Sequence, residues 1–116
     1  SNIWNYSSRK RRPCKIMPQA ARTTDPISPH SPCSPEQCGP GSDNVIIQGL
    51  SAYRVTDKTV PHGIPVPLVG CVPHITPLVQ GSHNVFINGQ PAGRVGDGHS
   101  CGVVITSGAN KVNING

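Results

Sequence analysis

The chain is poor in large apolar side chains. Its 116 residues hold one Trp, two Tyr and one Phe, and only 34% are hydrophobic. A chain of this length is one small domain, and so thin an apolar supply excludes a large self-sufficient core. Scaffolds of this kind rely on a disulfide, a metal or a partner. No run of 18 apolar residues exists, which excludes a membrane-spanning helix. The first residues are polar and basic, with no apolar segment behind them, so they do not read as a signal peptide. No Ser-His-Asp set, Gly-rich phosphate loop or pair of catalytic carboxylates stands out, and no enzymatic activity or small-molecule substrate is expected.

Charge is sparse too, and it is unevenly placed. The formal net charge is +5, yet Arg9, Lys10, Arg11, Arg12 and Lys15 supply half of the ten Lys and Arg residues. From Ile16 onward five basic residues face five acidic ones, Asp25, Glu36, Asp43, Asp57 and Asp97. The expected organisation is therefore a basic arm, 1–17, ahead of a near-neutral domain, 18–116. A basic arm can contact nucleic acid or an acidic surface. An adaptor module whose arm engages nucleic acid or cargo is the alternative reading of the whole chain.

What the chain does have is glycine and proline, 13 of each, and internal repetition. "GSDNVIIQG" (41–49), "GSHNVFING" (81–89) and "GANKVNING" (108–116) share Gly, then Val four on, Ile six on and Gly eight on. A second frame follows the first two, as "LSAYRVTD" (50–57) and "QPAGRVGD" (90–97). Its third copy, "PQAARTTD" (18–25), lies at the opposite end of the chain. Val85 and Ile87 alternate with Phe86 and Asn88, a period of two, and the Asn88-Gly89 pair predicts a type I′ turn. Hairpins are expected over 45–55 and 85–95. The third is split between 112–116 and 18–22, so the two ends should meet. The fold class that follows is all-β: a small cone of three pseudo-threefold hairpin repeats.

In each copy Arg22, Arg54 or Arg94 precedes Asp25, Asp57 or Asp97 by three residues. An Asp after a strand accepts turn N–H groups, so these read as scaffold rather than catalytic carboxylates. A loop follows each: His30 lies five residues after Asp25, His62 five after Asp57 and Cys101 four after Asp97. The stretch "DKTVPHGIPVPLVGCVPHITPL" (57–78) carries five prolines from Pro61 to Pro77 and is expected to be an irregular loop. It adds His74. Three imidazoles and one thiolate, His30, His62, His74 and Cys101, make the donor set of a closed structural zinc site at the apex. His99 and Cys71 remain alternative ligands, and His83 reads as a surface residue. Cys33 and Cys38 could pair with each other or with Cys71, although five cysteines without a secretion signal favour mostly free thiols. Cys14 belongs to the arm.

The segments Gln19-Ala20-Ala21-Arg22, Ser51-Ala52-Tyr53-Arg54 and Pro91-Ala92-Gly93-Arg94 resemble the Pro-Ala-Ala-Arg motif of the PAAR-repeat proteins, each with slight departures. The resemblance covers about 18–116, and the first loop, "PHSPCSPEQC", is longer than that family's simple His-Gly-Gly loop. It implies a cone with a zinc held by three histidines and a cysteine, here His30, His62, His74 and Cys101. It further implies a cap on a trimeric VgrG-like β-helical spike of a contractile injection system: type VI secretion, a phage tail or a phage-tail-like particle. One tip would sit on each trimer through the base strands, with Val45, Ile47, Val85, Ile87, Val112 and Ile114 at the contact. Such a tip is assembled in the bacterial cytoplasm and exported with the particle, touches the target membrane transiently and can carry effector cargo. The chain stops at Gly116, at the end of a repeat frame, so the expectation is a bare tip.

Overall fold

Two-residue turns of the predicted kind set the local structure. In the computed structural model, which describes residues 18–115, Asn88 and Gly89 both have positive φ, 54° and 81°, as do Gln48 and Gly49 at 47° and 86°. Positive φ at both central residues is the type I′ signature. Each turn joins a pair of two-residue strands, β1 (Ile46–Ile47) with β2 (Leu50–Ser51), and β5 (Phe86–Ile87) with β6 (Gln90–Pro91). Their registers pair Ile47 with Leu50 and Ile87 with Gln90. All regular structure among the described residues is extended, with no helix.

The ladders are shorter than the expected 45–55 and 85–95 because the chain leaves its own hairpin to pair around an axis. Ala20 bridges Arg94, Arg22 bridges Ala52, and Arg54 bridges Ala92. At the centre the amide of Ala21 donates to the carbonyl of Gly93 at 2.9 Å, Gly93 to Tyr53 at 2.8 Å, and Tyr53 to Ala21 at 3.0 Å. This is a closed triangle of backbone hydrogen bonds. A second set of three runs from Thr23 to Ser51, Val55 to Pro91 and Val95 to Gln19. The repeat frames thus share one hydrogen-bond pattern applied three times.

The two ends of the described chain complete the remaining lobe. Gln19 bridges Asn113, the Ala20 amide donates to Val112, and the Ile114 amide donates to Pro18, the last two at 2.8 Å. The basic arm, Cys14 and Gly116 lie outside the described residues.

Successive residues of the three central segments alternate between two layers, as strand geometry requires. Ala20, Ala52 and Ala92 join Ile87, Ala109 and Ile114 in a lower cluster. Ala21 and Tyr53 join Ile27, Cys38, Leu78, Val103 and Ile105 in an upper one. The axis tolerates one large side chain. Tyr53 is wholly buried, and its equivalents are Ala21 and Gly93. A Cβ on Gly93 would lie 2.8 Å from Leu78 Cδ2 and 2.9 Å from the Tyr53 carbonyl oxygen, so the position admits nothing larger.

The expectation of an irregular loop over 57–78 is overturned. His62–Val66 (β3) and Gly70–His74 (β4) form a five-pair antiparallel hairpin, the longest in the described chain. Its prolines are accommodated because Pro65 pairs with Cys71 and Pro73 with Gly63. These are alternate pairs of the ladder, where an amide would point away from the partner strand and its loss costs no ladder bond.

Deleting residues 112–116 removes the hydrogen bonds to Pro18 and Ala20 together with Ile114 from the lower cluster. The expected outcome is loss of cooperative thermal melting, read by circular dichroism, rather than a modest decrease in melting temperature.

Candidate metal centre

Each Arg-x-x-Asp pair is a rigid bracket that aims the loop behind it. In all three, the Arg Nε and a terminal nitrogen donate to the two oxygens of the Asp at 2.9–3.0 Å. The same Asp also accepts the amide of its Arg at 2.8–2.9 Å. The Asp57 hydrogen bond raises the Arg54 pKa above its usual value against the opposing cost of burial. The scaffold reading of these residues therefore accounts for every contact they make with each other. Thr24, Thr56 and Gly96 then take positive φ of 70°, 83° and 92° and turn the chain toward the upper layer.

Four donors converge where those loops end. His30 Nε2 lies 3.1 Å from His74 Nε2, and His74 Nε2 lies 2.8 Å from His62 Nε2. Cys101 Sγ lies 3.6 Å from His62 Nε2. All four ligand atoms fall within 4.8 Å of one another. A tetrahedral ion with bonds of about 2.0–2.1 Å to nitrogen and 2.3 Å to sulfur separates its donors by about 3.3 Å (N to N) and 3.6 Å (N to S). The three shortest spacings lie within about 0.5 Å of these values, and four such donors would fill a tetrahedral shell.

Their origin in the fold is now visible. His62 and His74 are direct partners in the β3–β4 register, which is how one hairpin contributes two donors to the cluster. His30 arrives from the first loop, whose turn is closed by the Cys33 amide donating to the His30 carbonyl. Cys101 sits in a tight turn held by His99–Val103 and Gly102–His99 hydrogen bonds, with Gly102 at a φ of 95°.

Neighbouring groups orient these donors. His62 Nδ1 lies 3.3 Å from the Val60 carbonyl oxygen and 3.1 Å from Thr59 Oγ1, so the proton belongs on Nδ1 and Nε2 faces the cluster. Thr76 Oγ1 is 3.1 Å from Cys101 Sγ, placed to donate to a thiolate. Burial, followed by the charges of His62 and His30, lowers the His74 pKa, favouring the neutral imidazole that metals bind.

The alternative ligands are engaged elsewhere. His99 is buried and its Nε2 lies 2.9 Å from the Tyr53 hydroxyl; burial lowers its pKa, against the opposing effect of the Val103 carbonyl. Cys71 is disulfide-bonded to Cys33, which decides among the pairings left open, while Cys38 and Cys101 keep free thiols. Cys38 is a free, buried thiol. Burial, then the Asp25 charge, pushes its pKa far above the usual range, so it is an inert packing residue. His83 is exposed, as expected.

The six residues assigned to a partner contact lie in the lower layer. Ile87 and Ile114 are buried, while Val45, Ile47, Val85 and Val112 are half-buried against the same cluster. The side chains that turn outward from these strands, unremarked in the sequence, are Ile46 and Phe86, each 57% exposed.

A family model described as PAAR motif matches residues 37–107. The chain belongs to the PAAR-motif family. The PAAR domain is also 38% identical over 79 residues to "Double-stranded DNA deaminase toxin A" of Burkholderia cenocepacia (strain H111), an alignment covering 66% of this chain. The chain spans about 5% of that toxin's length. About two thirds of this chain thus has a counterpart that is a small part of a much longer protein.

Thr76→Val removes the hydroxyl beside Cys101 and leaves all four donors in place. Metal affinity is expected to fall about 10–100-fold, measured by competition with a chromophoric chelator. Cys101→Ser is expected to lower metal content and melting temperature together, and to abolish the destabilisation that a chelator causes in the parent protein.

Proposed function

We propose that this PAAR domain is a structural spike tip that caps a trimeric VgrG-like β-helix in a contractile injection system. The observation that carries the reading is the cyclic hydrogen-bond pattern of Ala21, Tyr53 and Gly93. One chain presents three like lobes around one axis, so a single chain can meet three identical subunits with similar contacts. A trimeric β-helix ends in three open strand edges, which need a cover. The lower layer supplies one: Val45, Ile47, Val85 and Val112 are half-buried and are finished by an apolar partner face. Buried Ile87 and Ile114 support that face from within.

The ion held by His30, His62, His74 and Cys101 is zinc in this reading. Three imidazoles and a thiolate in a closed tetrahedron are structural zinc chemistry. Zinc sites in small peptides contribute on the order of 10–16 kcal/mol, which compensates for the thin core. The work of penetration comes from sheath contraction, so the tip has to be stiff and needs no reaction of its own. Assembly in the bacterial cytoplasm and export at the head of the spike follow from this role. The long toxin that shares these frames supports a place for effector cargo joined to, or carried beside, such a tip.

Co-purification with a trimeric spike protein, weighed by native mass spectrometry, tests the reading. One PAAR chain per three spike chains is expected. Three PAAR chains per trimer, or no complex, overturns it.

A further inference from the structure

The β3–β4 hairpin ends in an apolar turn with no partner among the described residues. Leu68 is 109% exposed, Val69 70% and Val66 36%. The amide of Val69 donates to the Val66 carbonyl at 3.0 Å, closing a β-turn with Pro67 and Leu68 at its centre. Leu68 has a φ of 66°. With proline before it, this is the third position of a type II turn, which ordinarily belongs to Gly or Asn. A bulky residue placed there, against local preference and with nothing to pack on, marks a site selected for something other than folding.

We propose that this turn is a lipid-contacting wedge, and that Val66, Leu68 and Val69 enter the boundary between headgroups and acyl chains of a bilayer. The inference deepens the spike-tip reading, since it gives the end of the domain beyond the metal a defined counterpart. Four observations favour lipid over protein. No Asp, Glu, Lys or Arg occurs from Thr59 to Gly93, so the wedge brings no charge that would have to shed water. The turn projects rather than recedes, with Leu68 and Val69 its most exposed apolar side chains. Pro65 and Pro73 sit on the two strands of the hairpin, so neither edge can readily add a strand from a partner. Finally, Pro67 has no amide hydrogen and the Val69 amide is already bonded, which reduces the backbone cost of leaving water.

The hairpin is also fixed at its root, which a wedge requires. His62 and His74, the first pair of the ladder, belong to the metal cluster, and the Cys33–Cys71 disulfide ties β4 to the first loop. A Cβ on Gly63 would lie 2.9 Å from Cys71 Cβ and 3.3 Å from Cys33 Sγ, so glycine is needed where the disulfide crosses β3. An isolated two-stranded hairpin is marginal in water; these two anchors hold this one rigid while its apolar end stays exposed.

The test uses the full metal-loaded chain with Trp4→Phe and Leu68→Trp, leaving one indole, at the turn. Zwitterionic phosphatidylcholine vesicles at physiological salt remove the attraction that a basic arm has for anionic lipid. A blue shift of emission, quenching by brominated acyl chains, and a loss of vesicle partition of about tenfold or more on adding Val66→Ser and Val69→Ser are expected. Metal content should match the parent, because these side chains lie at the opposite end of the hairpin from His62 and His74. Leu68→Asp in the parent background gives a second reading by vesicle flotation and should abolish it. Unshifted emission at millimolar lipid, or partition indifferent to all of these changes, overturns the wedge. Spike stoichiometry measured on the same variants separates the two readings: an intact one-to-three complex without lipid contact defeats the wedge alone, and lipid contact without the complex defeats the cap alone.

Discussion

The triangle of amide-to-carbonyl bonds among Ala21, Tyr53 and Gly93 is the constraint on which the PAAR domain depends. Three strands that meet at an axis cannot form a conventional sheet, because each would leave an unpaired edge. Pairing them head to tail in a ring satisfies all three central amides and carbonyls with no edge left over. The cost is crowding at the axis, which explains the residue types of the repeat. Ala20, Ala52 and Ala92 are small because three side chains face inward at one level, and Tyr53 fills the next level only because Ala21 and Gly93 yield the space. The Tyr53 hydroxyl then meets His99 at 2.9 Å and the Asp57 carbonyl at 3.1 Å, so the polar atom that this side chain takes into the core is satisfied.

From this ring the chemistry is projected upward by repetition. Each lobe locks its Arg and Asp into a two-point ion pair, bends at a residue of positive φ, and delivers a loop to the same region. The arrangement multiplies one local solution by three, so the donors need no long-range pattern of their own. The fourth donor comes from a different device, the direct opposition of His62 and His74 across a hairpin. The cysteines divide the labour by environment: Cys101 lies beside a hydroxyl and three imidazoles, Cys33 and Cys71 are joined, and Cys38 is sealed among apolar neighbours.

Much of this was legible in the sequence because it is local or repeated. The Asn88-Gly89 turn, the Arg-x-x-Asp brackets and the equal offsets of His30 and His62 are read from a few adjacent residues. The meeting of residues 18–22 with 112–115 followed from finding one repeat cut in two. The β3–β4 hairpin was hidden because proline is counted as a strand breaker in sequence; its harmless positions at Pro65 and Pro73 emerge only from the register. The Cys33–Cys71 bond was one of several possible pairings because nothing local links residues 38 apart. Alternation gives two faces without saying which is covered, so the burial of Ile87 and Ile114 in the lower layer emerges only from the packing. His99 is a rival ligand in sequence, and only the structure shows both its ring nitrogens engaged, by Tyr53 and the Val103 carbonyl.

The junction between the first and last lobes has one more consequence. Pro18 and Ile114 are hydrogen-bonded to each other beside the lower layer, so polypeptide appended at either end departs from a single corner of the molecule. A passenger fused before or after the domain would start from the same flank, on the side of Ile114 and the lower layer. The geometry makes the order of fusion a matter of indifference to the shape of what leads.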